Sequence, residues 1–120
     1  MLIQIIKPNF SYSDERGTLI QLVREGYKQF NVIESKAEVV RGGHYHKENI
    51  EVFYVISGSF SFTAKKDSIF ENYTFVQGDM FLVPPFVIHE FNYTQDTLLV
   101  GMYDKGVEHT DGTKDIYTSE

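Results

Sequence analysis

The chain contains no cysteine, which excludes disulfide bonds and thiolate metal ligands. Any bound metal must therefore be held by nitrogen and oxygen atoms. Long apolar runs are also missing. No stretch approaches the roughly 18 apolar residues of a membrane span, and the N-terminal apolar run is too short and interrupted for a signal peptide. We therefore expect a cytoplasmic protein with no membrane partner.

Basic residues are scarce as well. Lysine and arginine total 11 against 17 acidic residues, which gives a net charge of -6 at pH 7. The arginines are Arg16, Arg24 and Arg41. A nucleic-acid-binding protein normally carries a basic patch or stripe, so nucleic acid is not an expected partner. An anionic small ligand is expected only where these few cations converge.

Short β-strands dominate the hydrophobic pattern. The chain has 120 residues, of which 42% are hydrophobic, and these suffice for one core. Turn residues separate the apolar runs, and no segment has helical periodicity. Strands are expected at 18–24, 29–34, 39–46, 51–57, 59–64, 69–76, 80–83, 89–93 and 97–103. The pattern predicts an all-β sandwich, barrel or jelly roll in one domain, with its core at about 10–103 and a loosely held polar tail at 104–120.

Two of these runs indicate which side chains are buried. Alternation across 59–64 places Phe60 and Phe62 in the core and the hydroxyl side chains outside. The run at 51–57 is apolar also on the face opposite Glu51, which predicts burial on both faces. An interface between two copies in a homodimer is one explanation.

Three histidines and one glutamate form a candidate metal site. His44 and His46 are two residues apart on a predicted strand, so they project to one face. Glu51 opens the next predicted strand, and His89 comes from a later one. Three imidazoles and one carboxylate suit Zn, Fe, Mn, Co or Ni without selecting one. The alternative is a group of core histidines satisfied by hydrogen bonds.

Arg41, Arg16 and Tyr93 are the candidate substrate contacts. Arg41 could bind a phosphate or carboxylate through two parallel hydrogen bonds. It could equally pair with Asp14 or Glu38 across a turn. Arg16 has the alternative role of a turn charge. Tyr93 has the alternative role of a packing residue, because aromatic residues are common in strands.

These motifs resemble both motifs of the cupin superfamily. The matching residues are His44, His46, Glu51 and Gly58 in the first motif, and Gly78, Pro84 and His89 in the second. The chain departs from the family at two backbone positions, where Glu38 and Phe86 stand in place of glycine. The resemblance implies a double-stranded β-helix with a metal inside the barrel.

A narrower resemblance covers about residues 10–103. Asp14-Glu-Arg-Gly17, Gln29-Phe-Asn31 and the segment 41–45 are similar to the dTDP-4-dehydrorhamnose 3,5-epimerase group and to the sugar-nucleotide 3,4-ketoisomerases. The ketoisomerases generally lack the full set of metal ligands, whereas this chain has all four residues. In that respect 41–51 resembles the zinc-bound cupin domain of a capsular-polysaccharide reductase. The resemblance implies a sugar or sugar-nucleotide substrate in polysaccharide biosynthesis.

The chemistry implied by this resemblance needs an acid-base group and an electrostatic partner. Such reactions remove a proton next to a carbonyl and stabilise the resulting enolate. His44 is the expected base in a metal-free site, but a metal-bound imidazole has no free lone pair. With metal bound, we expect the ion to stabilise the enolate and Glu90 or a tyrosine to transfer the proton. A keto-sugar isomerase or epimerase is the favoured function, and the alternatives are a metal-dependent oxygenase and a non-catalytic sugar-binding protein.

Overall fold

The computed structural model describes residues 1–118, which form twelve β-strands. Within these residues no helix is long and apolar enough to cross a membrane. The strands are β1 (Gln4–Ile6), β2 (Phe10–Asp14), β3 (Gly17–Gln21), β4 (Gln29–Ser35), β5 (Val40–Tyr45), β6 (Glu51–Ser57), β7 (Ser59–Lys66), β8 (Ile69–Val76), β9 (Met80–Val83), β10 (Ile88–Tyr93), β11 (Thr97–Tyr103) and β12 (Tyr117–Thr118).

Ten of these strands form two antiparallel sheets with the core between them. Sheet 1 has the order β1-β9-β6-β11-β4, and sheet 2 has the order β12-β5-β10-β7-β8. The hairpin of β2 and β3 belongs to neither sheet. The all-β prediction is confirmed, and four predicted strands have the observed bounds, at 51–57, 69–76, 80–83 and 97–103. The sequence pattern missed β1, β2 and β12, of which β1 and β12 are short edge strands held by distant partners.

Aromatic side chains fill the space between the sheets. Phe60 and Phe62 are fully buried on β7, as their alternation predicted. They pack against Phe91 of β10, with ring centroids 5.3 and 5.0 Å away. Phe75 and Phe81 stack at 4.0 Å. This aromatic layer packs against β10, the strand that carries His89.

Strand β6 is buried on both faces, as predicted. Its outer face contributes Val52 and Tyr54 to a second cluster of apolar side chains. The chain itself covers that cluster, with Leu22, Val23 and Tyr27 from the connection between β3 and β4. The burial of this strand therefore has an explanation within one chain.

Residues 104–118 of the predicted tail are anchored to the barrel, so for these residues the expectation of a loosely held tail is wrong, while 119 and 120 lie outside the described residues. Val107 is 5% exposed and Asp115 is fully buried. Strand β12 pairs with the edge of β5, with Tyr117 opposite Tyr45. The prediction failed because polar composition says nothing about the long-range hydrogen bonds that hold this segment.

Candidate functional site

Strands β5 and β10 bring the three predicted histidines together. His44 lies opposite His89 in the register of the two strands, and His46 follows directly after β5. One ring nitrogen from each residue lies within 4.8 Å of the other two. His46 and His89 are buried, whereas His44 is half-buried.

Glu51 completes this group from the start of β6. Its Oε1 lies 3.1 Å from Nε2 of His46 and 3.3 Å from Nε2 of His89. Burial alone would raise the pKa of Glu51, but the neighbouring imidazoles of His46 and His89 outweigh this and lower it to about 2. The carboxylate is therefore ionised, and a buried carboxylate requires a positive partner.

The outer nitrogens of two imidazoles are fixed by the main chain. Nδ1–H of His46 donates to the carbonyl oxygen of Asp115 at 2.6 Å. Nδ1–H of His89 donates to the carbonyl oxygen of Val87 at 3.1 Å. A carbonyl oxygen can only accept, so each Nδ1 carries a proton. Both Nε2 atoms consequently face Glu51, as metal-ligating imidazoles do when a partner fixes the other nitrogen.

The Nε2 atom of His89 distinguishes a ligand set from core histidines. It is buried and lacks a hydrogen-bond partner among residues 1–118. Nε2 of His46 can bond to Glu51 only as the imidazolium. Burial lowers the pKa of His46, but the hydrogen bonds and charges of Glu51 and Asp115 outweigh this and leave the pKa raised. Satisfied core histidines would not leave the His89 nitrogen unpaired, so the arrangement fits a set of metal ligands better.

His44 differs from the other two imidazoles in its protonation. Burial, together with the positive charges of His89 and His46, lowers the pKa of His44 to about 4. Its imidazole is therefore neutral near pH 7. A neutral imidazole at the wall of a pocket has a lone pair that can bind a metal or accept a proton.

His44, Glu51 and His89 line one cavity of about 300 Å³, and His46 lies behind them. Its walls are formed by Ile33, Arg41, Gly42, His44, Glu51, Phe53, His89, Phe91, Tyr93 and Tyr103. Arg41 lies at the exposed side, and its Nε donates to Ser35 Oγ at 2.8 Å. Its Nη2 donates to the carbonyl oxygen of Glu34 at 3.3 Å. Among the predicted substrate contacts, the structure therefore places Arg41 and Tyr93 beside the imidazoles.

A β-bulge lets Arg41 and His44 share this cavity. Residues three apart on a regular strand face opposite sides. Here His89 pairs with His44 but Glu90 pairs with Gly42, so Gly43 is the extra residue of a bulge. Gly42 and Gly43 have φ values of 100° and 78°, which favour glycine. The pair of glycines thus turns Arg41 to the face that carries His44.

Glu90 and Arg16, two predicted site residues, lie away from both the cavity and the imidazoles. Glu90 alternates with His89 on β10 and is exposed on the outer face of sheet 2, beside Gly43 and Lys65. Arg16 lies at the tip of the β2–β3 hairpin, where its Nη2 is 2.6 Å from Asp14 Oδ2. The structure therefore does not bring Glu90 or Arg16 to the imidazoles. Because side chains alternate along a strand, Glu90 points to the face away from that of His89. Arg16 is a charged residue of the turn, as its alternative role stated.

Tyr103 lines the cavity and was missed by the sequence analysis. Its ring stands edge-on to His46, with centroids 5.1 Å apart. Burial and the charge of Glu51 raise its pKa, and burial also raises the pKa of Tyr93. Both phenols are therefore protonated donors. Alternation from the buried Leu99 to Tyr103 on β11 was a signal that could have found this residue.

The two departures from the cupin glycine pattern keep glycine-like geometry. Glu38 and Phe86 both have a φ of 69°, in the left-handed region where other residues are uncommon. The main-chain N–H of Phe86 donates to the carbonyl oxygen of His46 at 2.7 Å. The loop before His89 is thus tied to the segment that carries His46.

Solved structures with the same fold include enzymes of sugar metabolism. A 3,4-ketoisomerase from Helicobacter canadensis has a TM-score of 0.83 at 18% identity, covering 99% of this chain and 92% of the other. The 3,4-ketoisomerase QdtA from Thermoanaerobacterium thermosaccharolyticum, in complex with TDP-4-keto-6-deoxyglucose, has a TM-score of 0.80 at 19% identity over 98% and 88% of the chains. A dTDP-4-dehydrorhamnose 3,5-epimerase from Sulfolobus tokodaii has a TM-score of 0.76 at 22% identity over 93% and 75%.

The fold defines this protein as a cupin-type jelly roll, which confirms the predicted double-stranded β-helix. None of the curated protein sequences matches the chain. A family profile described as the polysaccharide biosynthesis C-terminal domain matches residues 12–114. The chain therefore belongs to that family.

Proposed function

We propose that this protein is an isomerase or epimerase of a nucleotide-linked keto-sugar in polysaccharide biosynthesis. The observation that carries the proposal is the shared cavity, which joins a cluster of imidazoles and a carboxylate to one cation at its rim. The family and the activities of the structural neighbours support the same chemistry. Fold alone would not suffice, because one fold hosts many activities.

We further propose that His44, His46, Glu51 and His89 hold one divalent transition metal. The unpaired Nε2 of His89 and the carboxylate between two imidazoles support this ligand set. Nitrogen and oxygen donors suit Zn, Fe, Mn, Co or Ni. When bound, the metal would supply Lewis-acid stabilisation of an enolate oxygen.

We assign distinct roles to the side chains that line the cavity. Its volume of about 300 Å³ is at the lower end for small-molecule sites, so the sugar ring fits inside while the nucleotide stays outside. Arg41 at the rim binds the diphosphate. His44 takes the proton next to the carbonyl when its lone pair is free, and the phenols of Tyr93 and Tyr103 donate to the developing oxyanion. Glu90 has no part in this scheme, because it faces away from the cavity.

The test of this function is solvent exchange into a keto-sugar. We would incubate the protein in D₂O with TDP-4-keto-6-deoxyglucose, the ligand of QdtA, with and without added metal, and follow the sugar by NMR. Deuterium should enter at a carbon next to the carbonyl, with an isomerised or epimerised product. In metal-free protein, His44→Ala should slow this exchange by roughly 100-fold or more, as loss of a general base does.

The matched control for that experiment is His109→Ala, which removes an imidazole from the C-terminal segment, outside the cavity. It should leave the exchange rate unchanged. A sugar that binds but takes up no deuterium would contradict the isomerase proposal and indicate a binding protein. Oxygen consumption with metal and sugar would instead favour an oxygenase.

Arg41→Lys should weaken binding of TDP, which another QdtA structure contains, by roughly 10-fold or more. Lysine keeps the charge but loses the planar fork, and a charge-assisted hydrogen bond contributes about 1.5–3 kcal/mol. Isothermal titration would measure the affinity. Arg24→Lys, an exposed arginine outside the cavity, is the control. Equal affinities for the two variants would remove Arg41 from the ligand site.

We also propose a homodimer formed through the outer face of sheet 1. Its edge strand β4 exposes Phe30 by 57% and Val32 by 75%. These side chains lie opposite Met102 and Val100, so they continue the covered apolar cluster to the edge of the sheet. Light scattering should give twice the mass of one chain. A single-chain mass at every concentration would contradict this, and Val32→Asp should dissociate the pair.

A further inference from the structure

Asp115 is a fully buried acidic residue that lies outside the cavity. Its carboxylate accepts hydrogen bonds from the main-chain N–H groups of Lys47, Glu48 and Asn49, at 2.8, 3.0 and 3.1 Å. The side-chain amide of Asn49 donates a fourth, at 2.8 Å. The carboxylate therefore occupies a nest of donors that belong to one short connection.

That connection joins two of the proposed ligands. Residues 47–50 run from His46, directly after β5, to Glu51, at the start of β6. Strand ends are held by their ladders, whereas a connecting loop keeps its shape only through the bonds that its backbone groups make. Asp115 supplies those bonds for three consecutive N–H groups. The separation of His46 and Glu51 thus depends on a residue far along the sequence.

The main chain of Asp115 makes a second contact with the site. Its carbonyl oxygen accepts the hydrogen bond from Nδ1–H of His46 at 2.6 Å. This bond holds the proton on Nδ1 and turns Nε2 toward Glu51. The carboxylate and the carbonyl of one residue therefore act on the same ligand pair.

Asn49 anchors the other end of the same segment. Its Oδ1 accepts from the N–H groups of Lys105 and Gly106, at 3.1 and 2.9 Å. Its Nδ2 also donates to the carbonyl oxygen of Gly106 at 2.9 Å. Asn49 is 1% exposed, so these bonds are shielded from water. The segment 104–116 is consequently fastened to the connection at both of its ends.

We propose that Asp115 is a positioning residue, which holds the 47–50 connection and the orientation of His46 so that His46 and Glu51 converge on one point. The proposal rests on the ligand set given above. It also assigns a function to the C-terminal segment, which acts as a clamp on the site. Asp115 itself does not line the cavity.

The test compares Asp115→Ala with the wild type by two measurements. The first is the exchange rate of the Nδ1–H proton of His46 in NMR of the metal-free protein, assigned with His46→Gln. This proton should exchange at least 10-fold faster in Asp115→Ala, because the carbonyl that accepts it is no longer held in place. The second is the affinity for Zn²⁺ in competition with a chelator, which should fall about 10- to 100-fold, as for other groups that orient metal ligands.

Two further variants make the result specific. Glu108→Gln removes an exposed charge from the same segment and should change neither measurement. If Asp115→Ala does not fold, Asp115→Asn replaces it, because asparagine keeps the size of the side chain. Asp115→Asn should show both effects less strongly. Unchanged exchange and Zn²⁺ affinity in a folded variant at position 115 would overturn the proposal. Faster His46 exchange in a protein that binds no Zn²⁺ would support the positioning role and contradict the metal site.

Discussion

His89→Ala should reduce the bound transition metal from about one equivalent to a small fraction of one. The variant removes a buried Nε2 atom that has no hydrogen-bond partner within residues 1–118 and that faces Glu51 at 3.3 Å. Loss of a partner that only orients a ligand weakens metal binding by about 10- to 100-fold, so loss of a ligand should cost more. Elemental analysis of protein purified without an affinity tag would measure the metal content.

Two variants serve as references for this experiment. His109→Ala deletes an imidazole that contacts Thr113 and Glu48 on the surface, and should keep the full metal content. The double variant His46→Ala and Glu51→Ala should lose metal as His89→Ala does, while circular dichroism shows that the strands persist. Stoichiometric metal in both site variants would contradict the ligand set. No metal in the wild type, even after reconstitution with Fe(II), Mn and Zn, would leave His44 as a free base.

Gly42→Ala should destabilise the protein and weaken anion binding together. A Cβ at this position would lie 2.6 Å from the carbonyl oxygen of His89 and 3.1 Å from Cα of Glu90, so the backbone of β10 must shift. The φ of 100° adds strain for any residue with a side chain. The same shift would displace Arg41 and His44, whose common face depends on this bulge. Chemical denaturation and TDP titration would measure the two effects.

Gly26→Ala is the matched control, because it shares one of these penalties and lacks the other. Gly26 has a φ of 91°, but a Cβ there would meet nothing within 4 Å. Both variants should lose about 1–2 kcal/mol from the left-handed backbone. The overlap with His89 should cost Gly42→Ala about 1–3 kcal/mol more, as overpacking does. Equal losses in the two variants, with TDP affinity retained, would show that the bulge tolerates a side chain.

Much of the barrel was predictable from short-range pattern. Alternation located Phe60 and Phe62 in the core, and strand bounds such as 69–76 followed from turn residues on either side. The same rule placed the imidazoles of His44 and His46 on one face. The same rule puts the side chains of His89 and Glu90 on opposite faces of β10. The prediction of Glu90 as a proton-transfer group overlooked this alternation.

Other features of the site depend on contacts that no local pattern records. The role of Gly42 and Gly43 is visible only from the pairing of β5 with β10. In that pairing one extra residue in β5 turns Arg41 toward the cavity. Asp115 looks like one of several acidic residues in a polar tail, yet it is fully buried by bonds to residues 47–49.

The sequence by itself determined the all-β class, the metal-compatible donor types and the residues that could form a cluster, because these depend on composition and on a period of two along a strand. Only the tertiary structure decided which of those residues meet. It placed Arg41 and Tyr103 in the cavity beside the imidazoles and left Glu90 and Arg16 outside. It also fixed the imidazole of His46 through a hydrogen bond to Asp115. The physical reason is that register, bulges and buried hydrogen bonds are set between segments distant in the chain, where their free energy comes from pairing and burial rather than from local preference.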